Sequence, residues 1–248
     1  TAHSTTTKTW TDLTGTKNGT ITGGTWGSTY LSFNGTSSWV NLGRMDMKVA
    51  TLDIKIAISE IQSGRHMVIG NTQNGGMAID LVDGKPSFYV YIGNNYKYVT
   101  ATKALKVNTQ TRLTGTFDGK KISLYVDGVS AGSLPITGSI GMPEEQTVMA
   151  IGANPKGSTV NSEYTKMKVY YVKIHNRALT ADAVKKSERI NSKIWDVSAA
   201  QDKSILAWVS HTSESLSDKT VPVVAYIGSD STIYANENSS YLFSYIGY

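Results

Sequence analysis

The 248-residue chain contains no cysteine. That absence excludes a disulfide framework and any thiolate-ligated metal site. It fits a bacterial or phage protein and leaves the compartment open. No apolar run approaches the roughly 20 residues that a membrane-spanning helix needs, so no membrane insertion is expected. Charge is also sparse: 17% of residues are charged, and 24 basic against 19 acidic side chains leave a net +5. The densest basic groups are Lys103 with Lys106, Lys120-Lys121 and Lys185-Lys186. None forms a stripe with interleaved aromatics, so no nucleic-acid partner is expected. The four histidines, His3, His66, His175 and His211, have no Ser/Asp or Cys partner in a recognisable motif. No signal peptide is expected, and the chain, which starts at Thr1 without a Met, reads as a processed or excised piece of a longer polypeptide.

What the chain has instead is Thr, Ser, Gly, Asn and Tyr. Such a surface suits an extracellular or virion β-protein that binds by hydrogen bonding and stacking. The length allows one large sandwich, or one domain plus a fragment, with a core that needs no staples. Asp83-Gly84, Asp118-Gly119 and Asp127-Gly128 each separate two strand-like runs, and Asp-Gly favours the type I′ hairpin turn. Gly93-Asn94-Asn95 makes another turn, between Phe88–Ile92 and Tyr96–Thr100. In Ile122-Ser123-Leu124-Tyr125-Val126 the alternation puts Ile122, Leu124 and Val126 on a core face. Further strands are expected at Tyr30–Phe33, Trp39–Leu42, Leu52–Ile58, His66–Gly70, Val148–Gly152 and Lys166–His175. Asn154–Ser162 lacks periodicity and reads as a long loop. Ala181–Ile190 reads as the one helix before residue 192. Many short strands with one short helix predict an all-β fold, a two-sheet antiparallel sandwich.

The texture changes near Ile194. Ile205–Val209, Val221–Ile227 and Thr232–Tyr234 read as short strands. The expected division is a sandwich domain over 1–192 and a small β-rich segment over 193–248, the start of a further domain.

The closing run of the first domain is Val169-Tyr170-Tyr171-Val172-Lys173-Ile174-His175-Asn176-Arg177, followed by Ala178-Leu179-Thr180-Ala181-Asp182. Alternation places Val169, Tyr171 and Lys173 on one face and Tyr170, Val172 and Ile174 on the other. Thr180 suits an N-cap, and Asp182 suits the first helical turn. Upstream lie Trp10, Asp12-Leu13, Asn18-Gly19, Trp26, Tyr30 to Gly35 and Trp39 to Gly43. The hairpin Ile122 to Ser133 and the stretch Ile151 to Asn154 follow. From about residue 10 to 190 this series resembles a laminin-G-like, or concanavalin-A-like, jelly-roll domain. The resemblance implies a lectin-like module of adhesins, phage tail proteins or multi-domain hydrolases. It also implies that Trp10, Trp26, Trp39 and His175 pack rather than bind. A second resemblance covers Trp195-Asp196-Val197-Ser198, Ala207-Trp208, Tyr226-Ile227-Gly228 and Ser239 to Phe243. These look like the lead-in to BspA-like leucine-rich-repeat surface or prophage structural proteins.

The resemblance further implies a calcium site on the sandwich rim. At the matching positions the chain has Asn34, Ser37, Ser38, Tyr170 and Tyr171, all neutral. Calcium held without a carboxylate is held weakly, so no cofactor is expected. A pair of carboxylates facing a cleft, as glycosidases need, is not evident: Glu144-Glu145 follow Pro143 in an expected loop. Gly23-Gly24 and Gly75-Gly76 lack the strand–loop–helix setting of a phosphate cradle. The candidate ligand-binding residues are Tyr89, Tyr91, Asn94, Asn95, Tyr96 and Tyr98. Alternation puts Phe88, Val90 and Ile92 on one side, and Tyr89 and Tyr91 on the other with Tyr96 and Tyr98 across the hairpin. Tyrosines beside asparagine amides can stack on a sugar face and bond its hydroxyls. The expectation is a non-enzymatic recognition module of a phage tail or bacterial surface protein, extracellular or on a virion, bound to a cell-surface glycan. The alternative is a structural or oligomerisation domain of a virion or surface fibre, in contact with other structural subunits.

Overall fold

The computed structural model describes residues 7–14 and 17–185, and the backbone of three further strands, Ile194–Asp196, Ile205–His211 and Val223–Ser229. The first part of the chain forms β1 (Thr9–Trp10), β2 (Gly19–Thr22), β3 (Thr25–Trp26), β4 (Leu31–Ser32), β5 (Trp39–Asn41) and β6 (Ala50–Ile58). Next come β7 (Arg65–Gly70), β8 (Met77–Val82), β9 (Lys85–Ile92), β10 (Asn95–Thr100), β11 (Thr111–Phe117), β12 (Lys121–Val126) and β13 (Val129–Pro135). The series ends with β14 (Ala150–Ile151), β15 (Asn154–Lys156), β16 (Thr159–Ser162) and β17 (Met167–His175). One helical turn, α1, covers 181–185. One sheet has the order β1-β2-β5-β14-β7-β8-β9-β10, the other β13-β12-β11-β6-β17-β4-β3, with every pairing antiparallel. This is the expected two-sheet jelly-roll sandwich.

Alternation builds the core. Leu52, Ile54, Ile56 and Ile58 of β6 and Phe88, Val90 and Ile92 of β9 enter a single hydrophobic cluster between the sheets. Phe88 lies directly against β11. A Cβ on Gly115 would stand 2.3 Å from the Phe88 ring, so only glycine leaves room for it there.

The outer face of the second sheet is sealed by the chain that follows β17. Thr51 Oγ donates to the Arg177 carbonyl and accepts from the Leu179 amide, each at 2.9 Å. Beside it, fully buried Arg112 grips Asp53 through Nε at 2.8 Å and Nη2 at 2.6 Å, while its Nη1 donates to the Val184 carbonyl at 2.7 Å. Thr180 caps α1, its hydroxyl accepting from the Ala183 amide at 3.2 Å.

Four sequence expectations change. In β17 the register slips at Tyr170, a β-bulge between Val169 and Tyr171. Val169 therefore shares the core side with Val172 and Ile174, and the simple alternation fails there. Asn154–Ser162 is a hairpin of β15 and β16, not a loop. Asp83-Gly84 and Asp127-Gly128 both have positive φ, as a type I′ turn requires. Asp118 does not: its carboxylate instead accepts from the amides of Lys120 and Lys121 at 2.8 and 2.7 Å, an Asx turn in place of type I′. Finally, the Gly93-Asn94-Asn95 turn narrows to Gly93-Asn94, because Asn95 already pairs with Ile92.

The chain divides into two compact units, Ala2–Val184 and a second that comprises Lys185–Tyr248 with Thr1. In the second unit, β18 (Ile194–Asp196), β19 (Ile205–His211) and β20 (Val223–Ser229) form a three-stranded antiparallel sheet. The expected strand Thr232–Tyr234 and the helical stretch beyond 185 lie outside the described residues.

Removing one partner of a sealed ion pair strands the other charge, at a cost of about 3–5 kcal/mol. Urea unfolding of Arg112→Met should show a loss of that order. Lys166→Met breaks the exposed pair with Glu60 and should cost under about 1 kcal/mol.

Candidate functional site

The β9–β10 hairpin lies at the end of the larger sheet. Burial of Phe88, Val90 and Ile92 in the core fixes which way β9 faces, and period 2 then turns Tyr89 and Tyr91 outward. Pairing sets Tyr98 opposite Tyr89 and Tyr96 opposite Tyr91. The rings meet: Tyr89 and Tyr98 have centroids 4.9 Å apart, tilted 31°, and Tyr91 and Tyr96 are 4.9 Å apart, near edge-to-face at 67°. Tyr98 is the most open of the four, 55% exposed. Tyr96 is anchored: its hydroxyl donates to the Gly75 carbonyl at 2.9 Å and accepts from the Gly75 amide at 3.2 Å. Burial pushes the Tyr96 hydroxyl pKa up. A Cβ on Gly75 would sit 2.1 Å from the Met142 carbonyl oxygen, so Gly75 lets two loops close against each other beneath that ring.

The four tyrosines thus come together on one face. Asn94, at φ 65° in the turn, is exposed at the tip. Asn95 is exposed as well, but its register opposite Ile92 turns it to the other side of the sheet from the rings, where its amide donates to the Gly93 carbonyl at 3.4 Å.

Sequence reasoning missed the polar group beside the rings. Asp80 of β8 stands opposite Ser87 and so shares the face of Tyr89. It has no exposed side-chain surface. Arg65, at the start of β7, donates from Nε to Asp80 Oδ2 at 2.5 Å and from Nη2 to Thr72 Oγ at 3.3 Å. Its Nη1 lies 3.5 Å from Glu163 Oε2, and its guanidinium carbon is 5.3 Å from the Tyr89 ring centroid, a cation–π contact. Asp80 Oδ1 is buried with no hydrogen-bond partner. Burial pushes the Asp80 carboxyl up to about 7, against the pull of Arg65. Burial works against the Arg65 charge, yet Asp80, Glu163 and Tyr89 together outweigh it and raise the pKa. Burial, then the Asp80 charge, raises the Tyr89 hydroxyl. An aspartate on an outward position amid the apolar residues of β8 was the available signal. Its partner Arg65 lies 15 residues away, and Glu163, which flanks that arginine, comes from a third stretch, which no local pattern reveals.

At the positions weighed for calcium, Asn34 Oδ1 accepts from the amides of Thr36, Ser37 and Ser38 at 3.0, 2.9 and 3.1 Å. That oxygen is engaged in closing its own loop. Among the described residues no three His, Cys, Asp or Glu side chains converge as a metal site. Glu144 Oε1 accepts from the Asn74 amide, and its amide bonds the Gln73 carbonyl at 2.9 Å. It therefore serves the loop junction under Tyr96. His175, read as packing, is half-buried, and that burial lowers its pKa.

A two-sheet jelly roll with an aromatic face on its end hairpin has the architecture of a lectin-type domain. Residues 27–185 match the model of the concanavalin A-like lectin/glucanases superfamily, and the chain belongs to that family. No curated protein sequence matches it. Among solved structures it is similar to the sialidase of Trypanosoma rangeli in complex with sialic acid, at 16% identity and a TM-score of 0.57. That match covers 75% of this chain and 32% of the sialidase, so the chain spans about a third of that enzyme. It is similar to the receptor binding domain of botulinum neurotoxin C/D mosaic serotype, at 11% identity and TM-score 0.56, over 70% of this chain and 46% of the other. It is also similar to domain 4 of AbnA, an extracellular arabinanase of Geobacillus stearothermophilus, in complex with arabinotriose. There the identity is 16% and the TM-score 0.56, over 70% of this chain and 90% of that domain. At such identities the likeness is one of fold.

Asp80 offers a pH test. Its folded pKa of about 7 exceeds the ordinary 3.8, so between those values the folded state keeps a proton that the unfolded state releases. Stability from this group therefore falls as pH rises from about 4 to 7. The melting temperature of Asp80→Asn, minus that of the unaltered chain, should rise between pH 5 and 8. A flat difference would mean that Arg65 keeps the carboxyl ionised throughout.

Proposed function

We propose that this chain carries a non-catalytic recognition module that binds cell-surface carbohydrate on the face formed by Tyr89, Tyr91, Tyr96 and Tyr98. The observation that carries the reading is the pairing of the four rings on an end hairpin, with one ring left open to solvent. Aromatic faces bury the C–H side of a sugar ring, and polar groups at their margin bond its hydroxyls. Asn94 at the tip supplies such a group here, Arg65 borders the face at its inner edge, and Asn95 belongs to the hairpin end on the side away from the rings. The similarity to a domain solved with arabinotriose is in keeping with this. Catalysis is not part of the reading, because the raised carboxyl of Asp80 lies beneath Arg65 with no surface to offer a substrate.

The setting we favour is a phage tail or a bacterial surface protein, extracellular or on a virion. Residues 1–192 would be the recognition domain, and 193–248 the lead-in to a further domain of the BspA-like kind. Among the described residues no helix is long and apolar enough to cross a membrane.

The second reading is a structural or oligomerisation role. It draws on β13, the end strand of the other sheet, where Val129 is 67% exposed beside a hollow of about 350 Å³.

A glycan array followed by calorimetric titration separates the two. Tyr98→Ala should weaken binding about five- to tenfold, as the loss of about 1–1.4 kcal/mol of ring contact implies. Full affinity in both Tyr98→Ala and Tyr91→Ala would move the site off this hairpin. Absence of any glycan binding, with self-association seen by light scattering, would favour the structural role.

A further inference from the structure

Resting on the carbohydrate reading, we infer that the tyrosine face takes a neutral glycan, and that Glu163 is the residue that turns acidic glycans away. The chain as a whole is basic, at +5, yet the charges around these rings are not. Among the described residues Arg65 is the one cation in contact with a ring of the face. Asp80 and Glu163 both lie against it, and Glu144 stands near Tyr96. Lys85 shares the face of β9, but four residues from Tyr89, about 13 Å at strand spacing. Lys97 pairs with Val90 and faces the other way. At the Tyr96 end Arg44 donates to the Glu144 carbonyl at 2.8 Å and is itself paired with Asp46 at 2.8 Å, so two nearby cations are set against four carboxyl groups.

An exposed arginine beside aromatic rings would ordinarily receive a ligand carboxylate. Here all three guanidinium nitrogens already face protein oxygens: Nε to Asp80, Nη2 to Thr72 and Nη1 toward Glu163. The first two partners are fixed within the sheet and the loop that follows β7. Glu163 is the outermost, with a quarter of its side-chain surface exposed. Its backbone is held at φ 54°, an unusual conformation for glutamate, and its carbonyl accepts from the Met67 amide at 2.9 Å. The fold thus keeps a carboxylate 3.5 Å from the Arg65 guanidinium, beside the third of that side chain which stays open to solvent. An acidic sugar would have to displace that group or approach it as a like charge. A neutral sugar meets only ring faces and hydrogen-bonding groups. Solved neighbours include one complex with an acidic sugar, sialic acid, and one with a neutral one, arabinotriose. The fold alone does not choose between them, and the charges at Arg65 do.

The test uses the full chain on an array of neutral arabino-, galacto-, gluco- and manno-oligosaccharides, each beside a counterpart ending in a uronic or sialic acid. Neutral members should bind at least tenfold more tightly than their acidic counterparts, and Glu163→Gln should shrink that ratio at least fivefold. Preference for the acidic members would overturn the inference while leaving the carbohydrate reading intact. Binding to no member would remove the reading on which it rests. A ratio unchanged in Glu163→Gln, with neutral members still preferred, would overturn the role of Glu163. Salt dependence of the unaltered chain gives the same answer without a variant. Raising sodium chloride from about 20 to 300 mM screens repulsion, so acidic members should gain on neutral ones. A relative loss would mean attraction, and would overturn the inference.

Discussion

Phe88 against Gly115 is the contact on which the rest depends. The ring has no accessible surface, and it occupies space that any side chain at position 115 would fill. It fixes the depth at which β9 enters the sandwich and therefore its register. A slip of one residue would move every side chain of β9 to the opposite face. Tyr89 and Tyr91 would then enter the core, and Phe88 and Val90 would face water. The aromatic face is thus the outward copy of a pattern enforced from within.

Two arginine–aspartate pairs divide the chemistry of the domain. Arg112 and Asp53 meet in a two-pronged bond with no exposure, and Arg112 also holds the backbone at Val184. That pair is a clasp that closes the chain over the second sheet. Arg65 and Asp80 meet through one prong only, with the aspartate sealed and the arginine a third exposed. The second arrangement leaves one aspartate oxygen without a donor and presents the cation to a ring. The first stabilises the fold, whereas the second governs the charge of a surface. Similar residue pairs differ because one lies under the closing segment and the other at the margin of an end hairpin.

Legibility from sequence followed the range of the interaction. The turns at Asp83-Gly84 and Asp127-Gly128 depend on two adjacent residues, and both have the expected backbone. The four-tyrosine face could be read because β9 and β10 are joined by two residues. The bulge at Tyr170 was hidden, since Tyr170, Val172 and Ile174 look like an unbroken alternating strand. The β15–β16 hairpin was hidden because its residues pair as a small separate sheet and carry little apolar alternation. At Asp118 a side-chain bond replaced the backbone conformation that Asp-Gly suggests. Arg65, Asp80 and Glu163 come from three separate stretches, so their meeting is a property of the sheet and its covering loop.

The anchoring of Tyr96 gives the hairpin two ends of different character. At the Tyr91–Tyr96 end, both bonds to Gly75 and the close loop junction under it bind the strands to the body of the domain. At the Tyr89–Tyr98 end, the rings lean on each other and on Arg65, and Tyr98 stands open. Substitutions at positions 98 and 89 can therefore vary without loosening the hairpin, whereas changes at 96 or 75 would unseat it. One end acts as a mount and the other as an interchangeable tip, so the outer rings can change while the foundation stays the same.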